Sequence, residues 1–305
     1  MVGIEEIAGY IPQGRISNDE LAKQYKLEEN FIREKIGVIN HSVMGVDETA
    51  MDMCLNAFKN LQNKVNVENI DAVVVVTQNP DFKLPHLSAM LHKELEMSKS
   101  VACFDISLGC SGYVYGLSIM QSFMEANGFK RGLLFTADPY SRIVDKDDKD
   151  TSLLFGDGAS VTLLSENAKF HSKRILFGTD GLAGWDSLIC RNQKLEMNGR
   201  QVFSFAATEV PKQIQRLLEM EDMKIVDIDL FILHQGSRYI VKTIQKRLGV
   251  EESKVPYEIF DYGNTISSSI PLILANHLHN QNIKKVVLSG FGVGFSWASL
   301  VLIKE

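Results

Sequence analysis

Apolar and polar positions along this chain fall into strand-like and helix-like stretches, and the order of those stretches repeats. Asp71 to Thr77 reads Asp-Ala-Val-Val-Val-Val-Thr, an unbroken β-branched run between polar ends. Such a run belongs to a strand covered on both faces, as in a parallel sheet flanked by helices. Asp229-Leu230-Phe231-Ile232-Leu233 repeats it in the second half. Arg131 to Thr136 and Lys285 to Ser289 predict a second pair of buried strands; Ser160 to Leu164 and Ser296 to Ile303 predict a third. Val2 to Tyr10 alternates weakly and reads as a strand. Helical spacing (Met51, Leu55, Phe58, Leu61) marks Asp47 to Leu61. Further helices are expected over Pro85 to Leu95, Tyr113 to Ala126, Arg238 to Leu248 and Ile270 to His279. Ser17-Asn18-Asp19 caps a short one over Glu20 to Tyr25, and another spans Glu28 to Lys35 and ends near Gly37. Asp145 to Asp150 reads as a charged loop.

The repeat has a register. Asp71 and Asp229 lie 158 residues apart, and Cys110 and Asn264 lie 154 apart. Cys110 precedes Gly132 by 22 residues; Asn264 precedes Lys285 by 21. The expectation is a tandem α/β architecture. Residues 1–165 and 166–305 form similar halves, two stacked sheets related by a pseudo-dyad. Cys110 and Asn264 then occupy equivalent turns and face each other.

Composition narrows the class. The 305 residues are 45% hydrophobic and 23% charged, as in a globular protein. A net charge of −6 is no electrostatic footprint for nucleic acid. The four cysteines (Cys54, Cys103, Cys110, Cys190) form no CxxC pair, which points to free thiols in a reducing compartment. The N-terminal stretch lacks the basic and apolar regions of a secretion signal, and no apolar run approaches the roughly 18 residues of a membrane span. A cytoplasmic protein is expected. The histidines other than His234 show no ligand spacing, so no metal site is expected.

Three residues could carry chemistry. Cys110 sits in a small-residue turn ahead of a long apolar helix, where the first unpaired N–H groups favour thiolate, the nucleophilic form. It reads equally as a small buried hydrophobe. His234 stands at the C-terminal end of a buried strand, where α/β proteins place ligands; a hydrogen-bonded structural histidine is the other reading. Asn264 lies in a Gly-Asn-Thr turn, which by itself is a turn that tolerates positive φ. A Cys-His-Asn set gathered at strand ends suits acyl transfer.

Five segments, nearly end to end and in order, resemble the β-ketoacyl-acyl-carrier-protein synthase III family of thiolase-fold condensing enzymes. They are Cys110-Ser111-Gly112-Tyr113, Phe155-Gly156-Asp157-Gly158-Ala159, His234-Gln235, Gly263-Asn264-Thr265 and Phe291-Gly292-Val293-Gly294-Phe295-Ser296-Trp297. The resemblance implies a five-layer αβαβα thiolase-like fold and a homodimer. It also implies that Cys110 takes an acyl group from acyl-CoA or an acyl-carrier thioester. A malonyl thioester, on carrier protein or CoA, then decarboxylates and attacks it. His234 and Asn264 would stabilise the enolate, and the backbone N–H groups of Cys110 and Val293 would form an oxyanion hole. Val293 departs from the family's usual glycine.

Other positions carry over in altered form. Phe31, Lys35 and Lys149 match CoA-binding positions where tryptophan and arginines are usual. Lys246 and Arg247 match carrier-docking positions, while Ser204 and Tyr239 replace basic residues. Leu84 falls where the family inserts a residue into the partner subunit's acyl pocket. No permanently bound cofactor is expected, acyl-CoA being a substrate. Two other readings stay open: a specialised acyltransferase or condensing enzyme of the same fold in natural-product or surface-glycan assembly, and a catalytically silent partner subunit.

Overall fold

The structure, a computed structural model, describes residues 1–28 and 30–304. The first half of the chain contains strands β1 (Gly3–Tyr10), β2 (Gly14–Ser17), β3 (Asn40–Val43), β4 (Ala72–Val76), β5 (Ala102–Ile106), β6 (Arg131–Ala137) and β7 (Ala159–Ser165). Its helices are α1 (Asn18–Tyr25), α2 (Ala50–Lys59), α3 (Leu87–Glu94), α4 (Gly112–Asn127) and α5 (Lys149–Ser152). The second half contains β8 (Phe170–Thr179), β9 (Leu188–Arg191), β10 (Lys194–Met197), β11 (Leu230–Leu233), β12 (Lys285–Gly292) and β13 (Ser296–Lys304). Its helices are α6 (Gly181–Gly184), α7 (Gly199–Met220), α8 (Arg238–Leu248) and α9 (Ser269–His277).

The repeat is real at the level of topology. β4 is parallel to β6, which is antiparallel to β7, which is antiparallel to β1. β11, β12, β13 and β8 make the same series. It extends to single atoms. Asp71 Oδ2 accepts from the backbone N–H groups of Lys130 and Arg131; Asp229 Oδ2 accepts from those of Lys284 and Lys285. The strand order β11-β12-β13-β8-β1-β7-β6-β4-β5 differs from the expectation in one respect: the two sheets are one. A single bridge, Ile4 to Phe170, joins them between β1 and β8.

Side-chain parity along the strands builds the layers. In β4, Val73 and Val75 point to a core shared with α2 and α3, while Ala72, Val74 and Val76 point to one shared with α4. In β11, Leu230 and Ile232 join that same central core, and Phe231 and Leu233 join a third one under α7 and α8. The central core holds Tyr113, Val114, Leu117 and Met120 of α4 and Ile270, Ile273 and Leu274 of α9. These two helices are apolar nearly all round because a sheet half covers each side. The result is α2/α3, sheet half, α4/α9, sheet half, α7/α8, which is the expected αβαβα order. Full burial of each such valine or leucine contributes about 1.5–3 kcal/mol, so the Val73–Val76 run holds β4 between the α2/α3 and α4/α9 layers.

Other expectations move at the edges. The helix expected over Glu28 to Lys35 is a π-helix over Phe31–Ile36, and its Glu29 lies outside the described residues. α2 begins only at Ala50, where Thr49 and Asp52 form a capping box. The expected charged loop ends in α5, capped by Asp148.

Candidate active site

Both expected turns open onto one cleft of about 850 Å³, lined by Cys110, His234, Asn264, Phe291 and Gly292. Cys110 sits between β5 and α4 and is only 4% exposed. Its turn is held from the other half of the chain by a 2.8 Å hydrogen bond between the Ser111 and Ser296 hydroxyls. Gly292 is needed opposite: a Cβ there would lie 2.7 Å from Cys110 Sγ.

The sulfur's acidity runs against the expectation. Burial pushes the Cys110 thiol up to about 12, and the Asp138 carboxylate pushes the same way. The backbone N–H groups of Cys110 and Val293 face the sulfur and pull it down, but less strongly. Desolvation outweighs the helix start because Cys110 lies below the surface, where a thiolate loses its water. The resting sulfur is a thiol. The two N–H groups expected to serve a developing oxyanion are both directed at the Cys110 sulfur.

Asn264 is fixed by its own turn. Its Oδ1 accepts from Ile266 N–H at 2.9 Å, which leaves Nδ2 facing the cleft. Ile266 adopts φ +55, a strained conformation for a β-branched residue. The Phe155-Gly156 segment pins the turn from outside: Asn264 N–H donates to Leu154 O, and Gly156 N–H donates to Asn264 O. A side chain at position 156 would overlap Tyr262 O, which gives that glycine its physical reason.

His234 follows β11, with its backbone N–H on Ser289 O within the neighbouring strand β12. Its ring meets Phe291 edge-on, with centroids 5.5 Å apart. Nδ1 is 2.9 Å from Ser269 Oγ, and Nε2 is 3.5 Å from Asn264 Nδ2. Burial drives its pKa down to about 3, against a smaller opposing contribution from the Ile266 backbone. The imidazole is neutral at neutral pH.

The other expected residues divide. Phe31, Lys35 and Lys149 line the same cleft. Lys35 Nζ lies 3.6 Å over the Tyr239 ring, and Tyr239 stacks on Phe203 at 4.9 Å. Leu84 is 86% exposed and stands apart from the cleft. Lys246 is exposed on α8, whereas Arg247 donates to Ala207 O of α7 at 2.8 Å and so ties two helices together. Sequence reasoning missed Ser269, Ile266, Phe203 and Arg200, all at or beside the cleft. Phe203 and Arg200 share a face of α7 at i and i+3, but no helix was read there.

The fold and this cleft define an α/β enzyme of the thiolase-like class. Residues 104–181 match the family 3-Oxoacyl-[acyl-carrier-protein (ACP)] synthase III, and residues 218–303 match its C-terminal counterpart. The β-ketoacyl-[acyl-carrier-protein] synthase III of Streptococcus sanguinis (strain SK36) is 31% identical over 320 residues, covering 98% of each chain. A solved 3-oxoacyl-(acyl-carrier-protein) synthase III is 33% identical with a TM-score of 0.92, covering 100% of this chain and 99% of its own. The priming β-ketosynthase of the R1128 polyketide pathway is 26% identical with a TM-score of 0.90, covering 100% and 97%. The chain belongs to the β-ketoacyl-[acyl-carrier-protein] synthase III family, whose members are acyltransferase-type condensing enzymes.

Proposed function

We propose that this protein loads an acyl group on Cys110 and extends it by decarboxylative Claisen condensation with a malonyl thioester. The observation that carries the reading is the convergence of Cys110, His234 and Asn264 on one cleft, with the His234 and Asn264 nitrogens 3.5 Å apart. Cys110 sulfur attacks the thioester carbonyl, whose oxygen takes charge in front of the Cys110 and Val293 N–H groups. The departing CoA or carrier thiolate takes up the proton that the Cys110 thiol gives up. The malonyl thioester then enters and loses CO₂. Its enolate oxygen accepts from His234 Nε2–H and Asn264 Nδ2–H. This role needs the Nε2–H tautomer, in which the Ser269 hydroxyl turns its proton from Ile266 O, 3.0 Å away, to His234 Nδ1, 2.9 Å away. The carbanion attacks the acyl carbonyl, and Cys110 sulfur leaves and is reprotonated.

Phe31, Lys35 and Lys149 at the cleft mouth would receive the CoA or phosphopantetheine arm, and Lys246 and Arg247 an acyl carrier protein. Leu84, exposed on the surface, would reach a partner subunit's acyl pocket in a homodimer. The halves 1–165 and 166–305 would each contribute one wall of the site. Among the described residues no helix is long and apolar enough to cross a membrane, which fits a cytoplasmic enzyme. The likeness to the R1128 priming ketosynthase favours a second reading, priming in a specialised pathway with the same chemistry. Mass spectrometry of the protein after incubation with a panel of acyl-CoA and acyl-carrier thioesters tests loading and separates the two. Saturated short acyl groups support the first, an unusual primer supports the second, and no adduct on Cys110 refutes both.

A further inference from the structure

Beside the nucleophile lies a carboxylate that meets no cation among the described residues. Asp138 directly follows β6 and is fully buried. Its Oδ1 accepts from Gln78 N–H at 2.6 Å and from the Thr77 hydroxyl at 3.5 Å. Its Oδ2 accepts from the Ser267 hydroxyl at 2.5 Å. A buried charge held by neutral donors alone is an expensive arrangement.

These partners lead to both functional turns. The Gln78 side chain accepts from the Tyr140 hydroxyl at 3.0 Å and packs against Gly109, where a Cβ would overlap its Oε1. Gly109 immediately precedes Cys110. Ser267 belongs to the turn that presents Asn264. Asp138 therefore braces one turn from each half of the chain.

We propose that Asp138 is a positioning residue for the chemistry at Cys110: its carboxylate ties the nucleophile's turn to the Asn264 turn and sets a buried negative charge beside the sulfur. The inference rests on Cys110 being the nucleophile. Burial pushes the Asp138 carboxyl up to about 6, against the Gln78 and Ser267 donors, so it is charged at pH 8. The other titratable groups around the pair are Cys54 on α2, Tyr140 after β6, Cys190 on β9 and His234 after β11. Burial holds Cys54 and Tyr140 protonated and His234 neutral. Asp81 and Asp105 act on Cys54; Asp81 is paired with Arg142, and Asp105 accepts from the Leu87 and Ser88 amides. That leaves Asp138 as the charge that raises Cys110. The sulfur then gives up its proton only as a bound thioester carbonyl takes on charge at the Cys110 and Val293 N–H groups, so idle enzyme presents little thiolate.

Asp138→Asn tests the charge. Its amide oxygen can keep the Gln78 bond, and its NH₂ can donate to Ser267 Oγ. Alkylation of Cys110 by iodoacetamide is followed from pH 6 to 10 by mass spectrometry of the Cys110 peptide. Between about pH 7 and 10 Asp138→Asn is expected to alkylate roughly tenfold faster than wild type at each pH, as for a thiol about one unit more acidic, and the gap should narrow toward pH 6; superimposable profiles overturn the role of the charge. Should that variant fail to fold by circular dichroism, Asp138→Ser is read in the same way. Ser267→Ala keeps the charge and removes the tether. It is expected to alkylate like wild type while condensation turnover falls about fivefold, the loss of one hydrogen bond. Wild-type turnover overturns the tether. Failure of the underlying reading looks different: thioesters then leave Cys110 unacylated while the alkylation profile still shifts.

Discussion

Asn264 Nδ2 and His234 Nε2 stand 3.5 Å apart at the cleft, each held from behind, the amide by Ile266 N–H and the imidazole by Ser269 Oγ. With His234 in its Nε2–H tautomer both atoms are donors, and two donors at that separation suit one oxygen placed between them. His234→Ala and Asn264→Ala are each expected to keep Cys110 acylation and to lower malonyl decarboxylation by about 10²–10³-fold. Release of labelled CO₂ from a malonyl thioester checks this; an unchanged rate in either variant removes that residue from the enolate site.

Gly292 presses on Cys110 so closely that even a methyl group must displace the sulfur. Gly292→Ala is expected to lose acylation of Cys110 and to destabilise the fold by about 1–3 kcal/mol. Intact mass after exposure to acyl-CoA reads the first effect and urea unfolding the second. Normal loading in this variant would mean that the sulfur has room to spare.

Val293 is expected to act through its N–H alone. Val293→Ala should leave acylation within about threefold of wild type, whereas Val293→Pro, which removes the donor, should slow it by about 10²-fold or more. Stopped-flow acylation rates on folded variants decide the matter. Equal rates for the alanine and proline variants would place the oxyanion elsewhere.

The folded His234 ring takes a proton only near pH 3, while the unfolded chain takes one at about 6.5. The unfolded state binds more protons in that window, so His234 makes stability fall as pH drops from about 6.5 toward 3. Urea unfolding of wild type and His234→Gln should show wild type losing ground through that range and no such divergence above pH 7. Parallel curves would contradict the desolvated neutral ring.

Much of this architecture was legible because it repeats. The Asp71 and Asp229 strands share the same carboxylate bonds to the next strand's start, and matching runs of valine and leucine announced them. The 22-residue α7, the strand β8 and the β9–β10 hairpin went unread. α7 carries Pro211 within it, and β8 mixes buried and exposed positions without clean alternation. Cys110, His234 and Asn264 could be gathered from their turns, but the acidity of the thiol could not. It depends on depth and on Asp138, neighbours that only the folded chain supplies. The Phe203–Tyr239–Lys35 stack joins α7, α8 and the Phe31–Ile36 helix, three elements distant in sequence.

The most direct test of the account follows the acyl group on Cys110 through a cycle. The protein is loaded with an acyl thioester, freed of excess and then given a malonyl thioester, with intact mass, CO₂ and product measured together. The account predicts an acyl adduct on Cys110 that disappears as CO₂ and a β-ketoacyl thioester form in equal amounts, and no adduct on Cys110→Ala. A stable adduct with no CO₂, or equal loading of Cys110→Ala, would contradict it.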